Sequence, residues 1–314
     1  MFYFLLFLAS VLSSLLLGKP VIKFLKRLST VQTIREDGPT RHVQEKAHTP
    51  TIGALIFLIP VLSFSVLALY FSKEFRTLDF IVVFCTTLVL SFLGFLDDYL
   101  KVIKRHNKGV SGYIKLFVQL LISFVIFYLY KEERSILYFL LVYFVIAGAS
   151  NSYNLTDGLD GLLASVSIAS FIGFIVLLNL HAKFELLALS VLFLGSLIGF
   201  LFFNKYPAKV FMGDTGSLAI GGAIGSLALV TRSELYLAFF AAVPILEAVS
   251  VILQVTSCQL SKRFLGVDKR IFKMAPLHHH FELCGWTENT VVRRFFVFQL
   301  VCTLVGIGLI FMLV

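Results

Sequence analysis

Charge is what this sequence has least of: Asp, Glu, Lys and Arg make up 14% of its 314 residues, against 58% hydrophobic ones. A soluble domain could not hide that much apolar surface, so most of the chain must have lipid as its solvent. Cysteine is scarce as well. Cys85, Cys258, Cys284 and Cys302 show no close paired spacing, which excludes a disulfide framework. No internal repeat, low-complexity tract or soluble appendage is visible, so residues 1–314 read as one transmembrane domain. The net charge of +9 is the one hint of a nucleic-acid partner. Its 27 Lys and Arg fall in short clusters between long apolar runs, the pattern of a membrane protein, and no nucleic acid is expected.

A spanning helix needs roughly 20 apolar residues at a rise of about 1.5 Å each. Ten candidates lie near 2–22, 51–71, 78–96, 114–130, 135–149, 162–180, 185–203, 217–231, 235–256 and 295–314. The fifth and eighth are short, and charge asymmetry decides in their favour. With ten spans, 21 of the 27 Lys and Arg fall on one side; the other side has Lys73, Arg76, Lys131, Arg134, Lys183 and Arg232. Cytoplasmic loops are the ones rich in Lys and Arg. The expectation is an all-α polytopic integral membrane protein with ten transmembrane helices, both termini outside and its active site on the cytoplasmic face. The first run follows Met1 with no positive stretch before it, unlike a cleaved signal peptide, so it is expected to stay as a span.

The longer inner loops hold nearly every unusual residue. Asp97 and Asp98 end the third span, where two adjacent carboxylates need a stabilising partner. Asp157 and Asp160 in NLTDGLDG are three apart, which would put both on one face of a helical turn; helix capping is the plainer reading of either. Asp214 opens DTGS before the eighth span, either as a cap or as a hard oxygen beside backbone N–H groups that suit a phosphate. Three acidic loops and a basic fourth, Lys273 with MAPLHHHFE, thus share one membrane face. Carboxylates repel a diphosphate unless a cation bridges them, so a phosphorylated substrate would imply Mg2+ or Mn2+.

His278, His279 and His280 are adjacent and cannot easily converge on one zinc, with Cys284 the only nearby thiol; phosphate or sugar contacts suit them better. Glu247 is the one acid deep in a span, read first as a polar interhelical contact, and Gln254 two turns on is close enough to the inner face to reach a ligand. A transporter or flippase would keep its charges near the bilayer midplane, whereas these Asp residues sit at span ends.

REDGP from Arg35, TPTIG from Thr49, FLDDYLK, Tyr113 to Lys115, NLTDGLDG, PAKVFMGDTGS, VPILEAVSVILQV, RIFKMAPLHHHFE and GWTE occur in this order over nearly the whole chain. Together they resemble the polyprenyl-phosphate N-acetylhexosamine-1-phosphate transferase superfamily, and MAPLHHHFE resembles its muramoyl-pentapeptide branch. His48 stands where that pattern usually has Gly, Ala54 replaces a second Gly, and an extra stretch, 264–268, precedes KRIFKMAP.

The resemblance implies transfer of phospho-MurNAc-pentapeptide from UDP-MurNAc-pentapeptide to undecaprenyl phosphate, with Mg2+, by a homodimer in the bacterial cytoplasmic membrane. The alternative within the superfamily is a GlcNAc-1-phosphate transferase. Carried over by motif, Asp97, Asp98 and Asp214 would form the acidic centre and hold the metal, and Lys115 would neutralise phosphate charge. Phe211 would stack on the uracil with Gly158, Leu159, Asp160, Asn204 and Gln254 around the nucleoside, and Asn154 and Asp157 would also bind substrate. Lys46 and His278 to His280 would border the diphosphate and sugar. Asp98 would orient the lipid phosphate or take its last proton.

Overall fold

The structure is a computed structural model that describes residues 1–28, 49–104, 109–130 and 135–313. Among these, twelve α-helices form: α1 (Phe2–Arg27), α2 (Leu55–Phe71), α3 (Leu78–Lys104), α4 (Gly112–Leu129), α5 (Ile136–Thr156), α6 (Leu162–Leu180), α7 (Phe184–Asn204), α8 (Asp214–Val230), α9 (Leu237–Phe240), α10 (Ala242–Leu265), α11 (Leu277–Leu283) and α12 (Glu288–Leu313). Each of the ten sequence runs overlaps a helix, but the ninth, 235–256, is divided at Ala241 between α9 and α10. Eight of these helices are long and apolar enough to cross a membrane, whereas α2 and α8 have 17 residues each, about 26 Å at the helical rise. The chain is a multi-pass membrane protein. The fifth run proves longer than its apolar stretch, because α5 continues through the polar residues to Thr156.

Burial sorts the helices into a centre and a rim. In α8 every residue from Thr215 to Val230 is buried, and α6 and α7 are nearly so. On the rim, α1, α3, α4 and α12 expose Leu, Val and Phe to what must be lipid. Glycine lets the central helix sit close to its neighbours: Gly221 lies against the backbone of Ala149 and Ser150 in α5, and Gly222 against Leu90 in α3. Close backbone approach is how helices associate where apolar surface gains nothing by leaving lipid.

The helix directions bring the unusual residues to one end of the bundle. Lys183, beside the start of α7, pairs with Asp79 at the start of α3, so the two helices run parallel. In α1, Ser10, Ser14 and Gly18 meet Gly195, Gly199 and Phe203 of α7 in register, so α1 is parallel to both. α12 starts beside Asp160, whose N–H donates to Glu288 Oε1 at 2.7 Å, and runs the other way. Thus α1 begins and α12 finishes at the end of the bundle opposite Asp97 and Asp98.

Candidate active site

Gly94 in α3 sets the site. A Cβ there would lie 2.1 Å from the Asp214 carbonyl oxygen, so α3 touches the first turn of α8 directly. One turn further along α3, Asp97 and Asp98 project onto the same junction, and each is only 1% exposed. Asp98 Oδ1 accepts the Asp214 N–H at 3.1 Å. Its Oδ2 accepts the Thr215 N–H at 2.9 Å and the Thr215 hydroxyl at 2.7 Å. The helix cap is therefore supplied from another helix: Asp98 satisfies the orphan N–H groups of α8, and Asp214 is the first helical residue, not the cap. Gly213 precedes it with φ of 79°, and a Cβ there would press on Asp98 Oδ2, so both conformation and space require glycine.

Two lysines reach the remaining oxygens. Lys115 Nζ, from the first turn of α4, lies 2.6 Å from Asp214 Oδ2 and 3.0 Å from Asp97 Oδ1. Lys101 Nζ pairs with Asp97 and lies 3.3 Å from Asp214 Oδ2. Lys101 carried no role in the sequence reading although it stands in FLDDYLK; its spacing of four from Asp97 was the signal. Asn154, the polar end of α5, donates to Asp214 Oδ1 at 2.9 Å and to Ser217 Oγ at 2.8 Å. The Val110 N–H donates to Asp97 Oδ1 at 2.8 Å.

Asp157 and Asp160 part company. The stretch 157–161 is a pair of turns, not a helix, so they share no helical face. Asp157 turns toward the acidic cluster; burial first, then the Asp214 and Asp98 carboxylates, push its carboxyl well above the usual range, and a hydrogen bond from the Gly213 N–H opposes this. Asp160 Oδ2 accepts the Ala208 N–H at 2.9 Å. Asn204 accepts from the Gly161 N–H and donates to the Val210 carbonyl, so Asp160 and Asn204 tie the 205–210 loop to this turn. Phe211, half-buried, has its backbone laced to the TPTIG stretch: its N–H donates to the Pro50 carbonyl and its carbonyl accepts the Gly53 N–H, both at 2.8 Å. Leu159 is buried in a separate apolar cluster with Leu162, Val243 and Val291, against which Phe281 and Trp286 pack.

The three histidines diverge. His278 Nδ1 and its backbone N–H each lie 3.2 Å from Glu247 Oε1, with Glu247 0% and His278 1% exposed. The intramembrane acid is thus a polar contact between α10 and α11, and the far side of the His278 ring lies against exposed Gly158, which has no room for a Cβ. His279 pairs with Glu282 at 3.0 Å, and His280 Nδ1 accepts the Lys273 N–H at 3.1 Å. Gln254 does not point at open space. Its amide donates to the Phe272 carbonyl and accepts the Ile271 and Phe272 N–H groups, which clamps RIFK to α10. Lys46 lies outside the described residues.

Among the described residues one acidic group has metal-ligand proximity: Asp97, Asp98 and Asp214 each place a carboxylate oxygen within 4.8 Å of the others. Hard oxygens so placed could hold a divalent cation.

Comparison with known proteins agrees with this layout. A model described as glycosyl transferase family 4 matches residues 80–232, a stretch that contains every member of the acidic cluster but not the histidines. The chain is 40% identical over 314 residues to the phospho-N-acetylmuramoyl-pentapeptide-transferase of Bacillus subtilis (strain 168), with 94% of each chain covered. The protein of that name from Heliobacterium modesticaldum (strain ATCC 51547 / Ice1) is 41% identical, with 93% of each covered. This chain belongs to the phospho-N-acetylmuramoyl-pentapeptide-transferase family. A more distant member, from Borrelia garinii subsp. bavariensis (strain ATCC BAA-2496 / DSM 23469 / PBi), is 37% identical over 95% of this chain and 92% of its own. These matches cover more than nine-tenths of the chain, so family membership does not rest on the acidic segment alone.

Proposed function

We propose that the chain transfers phospho-MurNAc-pentapeptide from UDP-MurNAc-pentapeptide to undecaprenyl phosphate, forming a diphospho-linked lipid and releasing UMP. Membership of the family carries this reading. The electrostatics of the cluster support it: among the described residues four acids, Asp97, Asp98, Asp157 and Asp214, stand beside two cations, Lys101 and Lys115, and burial, with the neighbouring carboxylates adding to it, raises the Asp157 carboxyl. Such a surplus suits Mg2+, which Asp97, Asp98 and Asp214 would hold and which would screen the charge of the reacting phosphates.

The nucleophile needs little activation, since a phosphate monoester has its second pKa near 6 and is largely dianionic at neutral pH. What remains is to place two anions and offset their repulsion. Lys115 and Lys101 serve that purpose, already oriented by Asp97 and Asp214. Asp98 accepts three hydrogen bonds from the start of α8, so besides facing the metal it is assigned to position Asp214. Phe211, with Asn154, Gly158, Leu159, Asp160 and Asn204 around it, is assigned to the nucleoside, and His278, His279 and His280 with Lys46 to the diphosphate and sugar. Gln254 acts there through the backbone it clamps.

We place the cluster on the cytoplasmic face of the bacterial inner membrane, in a ten-span chain with both ends outside and a homodimeric assembly. Reporter accessibility checks this: a tag at either end should be reached only from outside, and a site in the 97–113 stretch only from inside.

Product mass analysis is the decisive experiment, with purified protein, polyprenyl phosphate, Mg2+ and either UDP-MurNAc-pentapeptide or UDP-GlcNAc. A muramoyl-pentapeptide diphospho-lipid is expected. Product from UDP-GlcNAc alone would move the chain to the GlcNAc-1-phosphate branch, and undiminished turnover in EDTA would remove the metal.

A further inference from the structure

A second strongly charged concavity lies on the same end of the bundle, and the reaction makes no use of it. Lys19, Lys23, Lys26 and Arg27 on the last two and a half turns of α1 meet Lys209 from the loop after α7 around a cavity of about 560 Å³. Lys19, Lys23 and Lys26 recur at four and three residues, which stacks them on one helix face. Ile22, Phe202 and Phe203 line the apolar side of the cavity, and the Lys205 and Lys209 ammonium groups stand 5.4 and 5.7 Å from the Phe202 ring centroid. Among the described residues no carboxylate lies within ion-pair distance of these five cations. None of the lining residues belongs to the Asp97–Asp214 cluster.

Lys and Arg at the cytoplasmic ends of spans are ordinary, but that tendency asks only for a scatter around the rim. Here stretches some 180 residues apart in sequence bring to one hollow five cations that have no carboxylate partner among the described residues. Like charges so close repel, and the arrangement calls for an anion. Its apolar side is continuous with surfaces that face lipid, including exposed Leu16, Phe24 and Phe202. A soluble phosphate would have no use for that side, whereas a diacyl lipid would cover it with its chains.

We infer that this hollow binds the headgroup phosphate of an anionic phospholipid of the surrounding leaflet, with its acyl chains against Ile22 and Phe202. The inference rests on the proposed orientation, which puts this end at the negatively charged cytoplasmic leaflet. It also has a consequence for the site, because Lys209 belongs to the same PAKVFMGDTGS segment as Phe211 and Asp214. The Lys209 N–H is held by the Phe203 carbonyl at 2.8 Å, so a lipid held by Lys209 steadies the loop that carries the nucleoside-stacking ring.

The test uses full-length protein in phosphatidylcholine nanodiscs with increasing phosphatidylglycerol, with bound lipid counted by native mass spectrometry. The wild type should retain phosphatidylglycerol over phosphatidylcholine. Lys23→Gln with Lys26→Gln should weaken that retention by roughly fivefold per lysine, and Lys209→Gln, on the other wall, by a similar factor. All these side chains are exposed, and unchanged thermal unfolding would confirm the fold. Lys262→Gln with Arg263→Gln, at the end of α10, should leave retention unchanged; an equal loss there would mean diffuse surface potential and overturn the site. Displacement by millimolar inorganic phosphate, or by one equivalent of polyprenyl phosphate, would also overturn it. Transfer from UDP-MurNAc-pentapeptide, assayed on the same samples, tests the proposed reaction separately, since lipid retention in a symmetric nanodisc depends on neither turnover nor orientation.

Discussion

The helix pair α3 and α4 carries one acid–base network at each end, and the two are built to opposite rules. At the start of α3, Asp79 accepts from the Tyr130 hydroxyl at 2.6 Å and pairs with Lys183 at 2.8 Å. Among the described residues one carboxylate, one cation and one hydroxyl meet there in direct contact, with Glu185 near enough to act on Lys183 as well. At the other end, Asp97 and Asp214 share Lys101 and Lys115, and Asp98 and Asp157 add two further acids. The same residue types make a staple where each charge has its partner and, in the proposed reaction, a reactive centre where acids outnumber bases. An unbalanced buried cluster is costly alone, and the proposed cation and anionic substrates would complete the set.

The comparison breaks most sharply at Asp214. Asp214→Asn removes the carboxylate that Lys115, Lys101 and Asn154 all face, and turnover should fall by at least about a thousandfold. A variant that keeps a tenth of wild-type activity would show that the surplus charge has no part in the reaction. Lys115→Met should come next, with a loss of roughly a hundredfold to a thousandfold, because a preoriented cation on a developing phosphate charge is worth about 3–4 kcal/mol. The matching Lys101→Met change separates the two lysines: a smaller loss in kcat is expected, since Lys101 stands further from Asp214 than Lys115 does.

Gly94→Ala sharpens the same contrast without touching charge. The new methyl would meet the Asp214 carbonyl, so α3 and the start of α8 must separate, and a shift of about 1 Å at a reacting centre costs on the order of a hundredfold. Single-turnover rates and thermal unfolding, measured together, check this. A hundredfold slower step with an unfolding midpoint only a few degrees lower is expected. Wild-type rates in Gly94→Ala would mean that the junction is not what positions Asp214.

Much of this was legible in the sequence, for reasons that differ by residue. The apolar runs located the ten helices of 17 residues or more among the described residues, because lipid requires continuous hydrophobic stretches. The inner acids stood out because carboxylates are rare in so apolar a chain. Periodicity failed where polar sequence continues a helix: Asn154 reads as loop, yet it closes α5. It also failed where a residue's partner is its neighbour's backbone. Gln254 reads as a ligand contact, and its amide also holds the backbone of residues 271 and 272, seventeen and eighteen positions away, a pairing that no local pattern encodes. Lys101 and Glu288 went without a role because each stands in a motif beside a more conspicuous residue. The Asp98 cap on α8 joins positions more than a hundred residues apart, and only the close approach at Gly94 brings them together.

The smallest effect belongs to the balanced end. Lys183 is 41% exposed and Asp79 16%, so water screens their attraction, and pairs of that kind contribute at most about 1 kcal/mol. Lys183→Met should therefore cost a few tenths of a kcal/mol. Asp79→Asn also weakens the Tyr130 hydrogen bond, and for a charged acceptor that adds about 1–2 kcal/mol. Neither change touches a group in contact with Asp97 or Asp214: Asp97 is on the same helix, roughly 27 Å away at the helical rise. Turnover should stay within about twofold of wild type in both variants and in the double variant. Unfolding in detergent should show coupling between the two substitutions, because Lys183→Met has no ion pair left to break once Asp79 is Asn. Additive unfolding shifts would mean that the pair contributes nothing measurable. A tenfold loss of turnover would mean that the two ends are mechanically linked through α3, and the contrast between a closed staple and an open centre would then have to be given up.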